Sequence, residues 1–277
     1  MSYKKKFQSL TIKDDFMFGV VMSDVSIAKR ILCAILAEEI PDIESCELQK
    51  SIETDHNSHG VRYDVYIKTR NGWKVYDIEM QNSKNRMPAK RSRYYQSSSD
   101  IDFLEKNKPY TDLPQNYVIF ICDFDPFGKG RAVYQFQNYC VEEGIFLGDG
   151  TCKIFLNIYG RTERKELQNL MAYFKDNVPN DELTNDIQDR IDNAVHSGKL
   201  YSSYIKEQQN AILLKEEGRK EGRKEGRKEG RKEGRKEGKA EAIKQLLKKG
   251  LTAANIISLF DLSDEEAAFY FDDMQTV

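Results

Sequence analysis

The chain has 277 residues, 39% hydrophobic and 32% charged, with a formal net charge of −2. That length is enough for a real core in one large domain or two smaller ones. The longest apolar runs, such as Tyr117 to Cys122, are too short to span a membrane.

The near-neutral total conceals an asymmetry. Residues 215–249 hold 15 Lys+Arg against 8 Asp+Glu, a balance of +7, so the other 242 residues carry −9. An acidic body argues against nucleic-acid binding by overall charge and leaves it to local patches. Five cysteines, at 33, 46, 122, 140 and 152, form no CxxC pair, which points to reduced thiols in a cytoplasmic protein. The opening MSYKKKFQSL has no apolar stretch behind its lysines and does not read as a signal peptide.

In chain order, TIKDDFMFGVVM first places Asp14 and Asp15 beside an apolar segment. Asp24 is positioned to cap a helix whose apolar residues Val25, Ala28, Ile31, Leu32, Ile35 and Leu36 follow helical spacing. His56 and His59 have no cysteine partners nearby and read as polar loop residues rather than zinc ligands.

Two strands come next. Val61, Tyr63, Val65 and Ile67 alternate with Arg62, Asp64 and Tyr66; Tyr76, Ile78 and Met80 alternate with Val75, Asp77, Glu79 and Gln81. Period-two alternation predicts strands with one face buried. Asn71-Gly72 between them is a strong hairpin signal, because a type I′ turn needs positive φ at both central residues. With those two as the loop, Arg70 faces Trp73. Counting outward sets Tyr66 against Asp77, Asp64 against Glu79 and Arg62 against Gln81. Opposed like charges destabilise a sheet unless something compensates. A divalent cation held by carboxylate oxygens is one answer; a solvated face neutralised by Arg62 and Lys68 is the other.

SKNRMPAKRSRYYQSS then predicts a helix with Pro88 in its first turn, carrying the densest basic cluster of the body: Lys84, Arg86, Lys90, Arg91 and Arg93. Arg91 and Tyr95 share a face at i,i+4. Such a face suits a phosphodiester backbone, or equally an exposed helix with ordinary salt bridges. NYVIFICDFDPFG reads as a buried strand running into a turn that absorbs Asp123 and Asp125. CKIFLNIYG is a further strand. Glu163 to Phe174 and Asp186 to Val195 have helical periodicity, with Pro179 between them, and His196 reads as a surface residue.

EGRKEGRKEGRKEGRKEGRKEG, residues 217–238, repeats every four residues. Glu217 and Lys220 support a helix at i,i+3, whereas each Gly opposes it by about 1 kcal/mol relative to Ala. A frayed, solvated helix or spacer is expected, since it lacks any apolar seam. The last segment predicts short helices around Leu246, Leu247, Ile256, Ile257 and Phe260, with Thr252 as a cap and Ser263 with Glu266 as a capping box. It outlines a helix-turn-helix, but Asp264, Glu265 and Glu266 stand where base-contacting residues would be needed. An interaction or oligomerisation module is the expectation.

The linked order KDDFMF, GVRYDVYI, VYDIEMQ, KRSRYYQS and YVIFICDFDPFGKG resembles the Rpn family of recombination-promoting nucleases, also labelled transposases, within the PD-(D/E)XK nuclease superfamily. The resemblance covers roughly residues 7–165 and extends to the Glu-Gly repeats of the tail. It implies an α/β fold: a restriction-endonuclease-like mixed sheet flanked by helices, followed by a helical C-terminal extension.

It also implies a Mg²⁺-dependent nuclease site, with Mn²⁺ or another divalent cation as substitute. Asp64 and Glu79 match the two motif acids, Gln81 stands where the motif has lysine, and Tyr63 replaces its proline. Asp15, with Asp14 adjacent, matches a helix-borne acid that completes the metal shell, and the Met80 carbonyl is a further ligand. Gln81 would orient water, while Lys84, Arg91, Arg93 and Tyr95 would hold the DNA backbone. Four segments are expected: a nuclease-like domain at 1–165, a helical extension at 166–215, the charged repeat at 216–239 and a small helical module at 240–277.

The functional expectation is a metal-dependent DNA endonuclease linked to recombination or mobile elements. A homodimer through the helical C-terminus is expected, and no membrane partner. The alternative is a catalytically weak DNA-binding or protein-interaction module that assembles through the same helices.

Overall fold

The computed structural model describes residues 3–52, 60–70, 72–83 and 88–272. Expectations placed on His56, His59, Asn71, Lys84 and Arg86 lie outside these residues. The chain divides into two compact units, Met1–Ile205 and Lys206–Val277.

The first unit is built on a mixed sheet. Strands β1 (Ile43–Ile52), β2 (Val61–Thr69) and β3 (Lys74–Gln81) form an antiparallel meander. Strand β4 (Gln115–Cys122) lies parallel to β3. Beyond it the order continues through β8 (Thr151–Asn157), parallel to β4, to β5 (Val133–Phe136), antiparallel at the edge. Strands β6 (Tyr139–Cys140) and β7 (Ile145–Phe146) make a separate hairpin.

Helices cover both faces. On one side lie α1 (Tyr3–Gln8), α2 (Asp15–Met22), α3 (Val25–Leu36), α5 (Lys165–Asp176) and α6 (Glu182–Val195), whose apolar side chains share a core with Val65, Ile67, Tyr76, Ile78, Met80 and Ile119. Asp24 caps α3 as expected, accepting from the amides of Ser26 (3.0 Å) and Ile27 (3.2 Å). The other face is covered by α4 (Pro88–Phe103), which begins at the predicted proline.

The central position of β3 corrects the expectation of one buried face. Parallel neighbours require helices on both sides of the sheet, so Asp77, Glu79 and Gln81 are buried along with Tyr76, Ile78 and Met80. A solvated acidic face is therefore ruled out at β3. The hairpin register is the one a two-residue turn dictates, with Val65↔Ile78, Tyr66↔Asp77, Ile67↔Tyr76 and Lys68↔Val75. Gly72 has the required positive φ of 64°.

Strand β2 is not a uniform alternation. Val65 and Ile67 enter the large core, whereas Val61 and Tyr63 join Tyr66 and Val75 in a cluster against α4. The phase reverses at Asp64. Opposite it, between the pairs Leu48↔Val65 and Lys50↔Tyr63, Gln49 has a left-handed φ of 51°. A side chain in that region marks a local distortion, and here it re-aims the strand at its one carboxylate.

The repeat forms part of one 51-residue helix, α7 (Gly198–Lys248). Within the second unit, α8 (Ala253–Phe260) and α9 (Asp264–Asp272) gather Ile243, Ile256, Leu262 and Tyr270 into a small core. Thr252 caps α8, and Ser263 and Glu266 exchange the reciprocal bonds of a capping box at 3.3 Å each. Among the described residues no helix is long and apolar enough to cross a membrane.

Candidate active site

The site forms where β2 and β3 part. Their ladder runs inward from Val65↔Ile78; beyond that pair, two side chains take the place of main-chain partners. Glu79 Oε1 accepts from the Asp64 amide at 2.9 Å, and Asp64 Oδ2 accepts from the Met80 amide at 3.1 Å. Each carboxylate is thus fixed by the opposite strand. The pairing read from the sequence brings Asp64 and Glu79 together, and Met80 joins them through its N–H.

Gln81, Arg91 and Tyr95 complete the group. Arg91, one turn into α4, donates from Nη1 to Gln81 Oε1 (2.5 Å) and from Nη2 to both Glu79 Oε2 and Tyr95 Oη (2.8 Å each). The other end of the Gln81 amide donates to the Ser83 carbonyl. Arg91, expected to hold the DNA backbone, bonds here to three side chains of the protein. Arg93 points elsewhere: it is exposed and lines a groove of about 530 Å³ with Gln96, Asp100, Asn138 and Lys153.

The two N-terminal aspartates separate. Asp14 accepts from the Thr11 amide (2.7 Å) and hydroxyl (3.2 Å) and so belongs to the turn before α2. Asp15 opens α2, and its charge acts on both Asp64 and Glu79. A bond of 2.8 Å from Asn82 Nδ2 to the Lys13 carbonyl ties this segment to the end of β3. Asp125 serves its turn, as expected, whereas Asp123 ties together distant segments. Asp123 holds Lys13 (3.3 Å) and Tyr159 (2.7 Å), and Asp125 accepts from the amides of Phe127, Gly128 and Gly130.

Sequence reasoning left one member out of the site. Asp77 is wholly buried beside Glu79, and neither of its carboxylate oxygens has a hydrogen-bond partner among the described residues. Its place two residues before Glu79, on the same face of β3, was the available signal.

Burial dominates the electrostatics. Burial, and then the Asp15 charge, push Asp64 up to about 6; burial, and then the Asp64 charge, push Glu79 up to about 8. Asp77 is raised well above the ordinary carboxylate range by burial and by its two acidic neighbours. Around these four acids, Arg91 is the one cation that hydrogen-bonds within the group among the described residues. Hard oxygen donors in excess over cations are what a divalent ion requires, and the oxygens of Asp77 have no hydrogen-bond partner among the described residues. The donor set fits such an ion, although no three His, Cys, Asp or Glu side chains already converge as a cage among the described residues.

The geometry agrees with what comparison shows. A family model described as PD-(D/E)XK nuclease family transposase matches residues 13–170, more than half of the chain. The chain belongs to this family. The matched span contains Asp15, Asp64, Glu79, Gln81 and Arg91, and membership supports a nuclease or transposase-like role with DNA as substrate. Comparison with curated proteins and with solved structures returns no match.

Proposed function

We propose that this protein is a divalent-cation-dependent DNA endonuclease that hydrolyses phosphodiester bonds at the Asp64–Glu79 pair, in the service of recombination or mobile-element movement. The observation that carries the reading is the reciprocal clamp: two carboxylates, Glu79 buried and Asp64 half-buried, each bonded to the opposite strand's amide. Groups fixed in this way need no reorganisation when charge develops at a reacting phosphate.

Asp64, Glu79, Asp15 and the Met80 carbonyl would hold Mg²⁺, with Mn²⁺ as a substitute. Such an ion, when bound, lowers the pKa of a coordinated water and stabilises negative charge on the phosphoryl oxygens. Asp64 and Glu79 must both ionise to hold it, so cation binding releases protons and strengthens as pH rises from about 6 to about 8. Gln81, held at both ends of its amide, would orient water through its second N–H or second oxygen lone pair. Lys84 and the exposed Arg93 are the backbone contacts in this reading, while Tyr95 is engaged with Arg91. The free cysteines Cys33, Cys46, Cys122, Cys140 and Cys152 accord with a reducing, cytoplasmic setting. A homodimer assembled through the C-terminal helices would bring two sites to one duplex.

The test is nicking of supercoiled plasmid by the native chain, Asp64→Ala and Glu79→Ala, in Mg²⁺, Mn²⁺ or EDTA. Cleavage that needs the metal and disappears in both variants is expected. Equal cleavage by the variants, or none by the native chain, would leave the alternative of a DNA-binding or interaction module.

A further inference from the structure

We propose that Arg91, carried on α4, is the fixed cation of this site and replaces the lysine that the family's motif has and position 81 lacks. Gln81 would be its holder. The inference rests on the nuclease reading above and assigns the charge within it.

Three observations converge. First, Gln81 is held at both ends: Oε1 accepts from Arg91 and Nε2 donates to the Ser83 carbonyl. A lysine at 81 would have nothing to offer the guanidinium, because an ammonium has no acceptor. The glutamine and the arginine therefore make sense as a pair.

Second, Arg91 is built in. Its two terminal nitrogens reach Gln81, Glu79 and Tyr95 within 2.8 Å, and its guanidinium lies 4.9 Å from the centre of the Tyr95 ring and 5.1 Å from that of Phe120. Only 23% of the side chain is exposed. A planar fork with two acceptors on one side and aromatic faces beside it is a site for arginine, not for lysine. A phosphate-gripping arm on a helix surface would be free and exposed; this side chain is neither.

Third, the charge is needed where it sits. Asp64, Asp77 and Glu79 are crowded beside α4, and while no ion is bound Arg91 donates to Glu79 Oε2 at 2.8 Å. It then stands beside the same carboxylate when one is, so it opposes the ion electrostatically while keeping a positive charge at the reacting centre. Arg91 is thus a positioning residue for the carboxylate pair, with a definite signature: removing it should improve metal binding and impair cleavage.

The experiment uses the full chain as native protein, Arg91→Ala, Arg91→Lys, Gln81→Lys and the double variant Arg91→Ala/Gln81→Lys. Mn²⁺ binding is measured by calorimetry without DNA, DNA binding in EDTA across a salt series, and plasmid nicking with Mn²⁺. Arg91→Ala is expected to bind Mn²⁺ about fivefold more tightly, to bind DNA in EDTA as the native chain does, and to nick at least about tenfold more slowly.

Gln81→Lys alone sets an ammonium against the guanidinium and loses nicking, whereas the double variant recovers part of it, a coupling that a merely structural residue would not produce. Arg91→Lys keeps the charge without the fork, and its Mn²⁺ affinity is expected between native and Arg91→Ala; it carries the test if the alanine variant fails to fold. Unchanged or weaker Mn²⁺ binding on loss of Arg91 overturns the proposal. So does a fall in DNA affinity in EDTA with a reduced salt slope, which would make Arg91 a phosphate contact. If the native chain binds Mn²⁺ and nicks, such results sink this inference alone. If the native chain does neither, the nuclease reading fails with it.

Discussion

Asp77 is wholly buried, its oxygens have no hydrogen-bond partner among the described residues, and burial, with the acids beside it, favours its protonated form. The consequence is a sign for the pH dependence of stability. In the unfolded chain Asp64, Asp77 and Glu79 titrate near 4. In the folded chain Asp64 and Glu79 are pushed up to about 6 and about 8, and Asp77 is raised well above its ordinary range by burial. Between those limits the native state binds more protons than the unfolded one, so stability is greatest at the acid end and falls as pH rises.

Melting in EDTA at pH 5, 6, 7 and 8 should show a falling Tm, with a shallower fall for Asp77→Asn, which cannot ionise. A Tm that rises across that range would refute the assignment. Gly160 supplies a second test at this scale. A Cβ there would meet Arg131 O at 2.3 Å and Ala132 Cα at 2.4 Å, where the chain bridges Arg131 to Arg161. Both contacts are backbone and cannot swing away. Gly160→Ala should destabilise the protein by about 1–3 kcal/mol or more, read from urea unfolding.

At the scale of elements, two helices show why some of the structure was legible in the sequence and some was not. The hairpin register followed from a single dipeptide, and the capped helices α3, α8 and α9 from their caps, because those signals are local. The cover of the active site was not legible in this way. Helix α4 buries Ser92, Gln96, Ser98 and Ser99 in place of an apolar stripe. These side chains are satisfied one by one: Ser99 pairs with Tyr66 Oη at 2.9 Å, and Gln96 donates to the Asn116 carbonyl at 3.1 Å. Hydrophobic periodicity carries no trace of such packing, so the helix read equally well as an exposed basic face. The reversal of phase at Asp64 was hidden for a related reason: it depends on Gln49 in a neighbouring strand.

Helix α7 differs from expectation in being continuous through the repeat. Its glycines at 222, 226 and 230 have nothing within 4 Å of a built Cβ and no positive φ, so they tolerate alanine sterically. Each Gly→Ala change there should favour the helix by about 0.5–1 kcal/mol. Circular dichroism of the triple variant should show a higher melting temperature for the helical signal, without any change in plasmid nicking.

At the scale of the whole molecule, the division at Ile205 decides what must accompany the active site. The segment expected to end near residue 165 contains every acid of the site, and the family match ends at residue 170, yet the core does not end there. Leu167, Leu170, Phe174, Leu183, Ile187 and Ile191 from α5 and α6 are buried in the same cluster as the inner face of β3. Arg164 donates to the carbonyls of Ala34 and Ile35 at the end of α3, and Arg190 to that of Val20 at the end of α2. Further on, Tyr201 and Tyr204 pack edge-on or tilted against Phe7, and Tyr204 edge-on against Phe16.

Burying a large apolar side chain is worth about 1.5–3 kcal/mol. Those six residues alone therefore rival the whole net stability of a domain, roughly 5–15 kcal/mol. A fragment ending at residue 165 should fail to melt cooperatively and should expose apolar surface. One ending at residue 205 should keep a sharp transition and, if the site is as described, the Mn²⁺ affinity of the full chain. Cooperative, native-like melting of the shorter fragment would show that α5 and α6 lean on a core that does not need them.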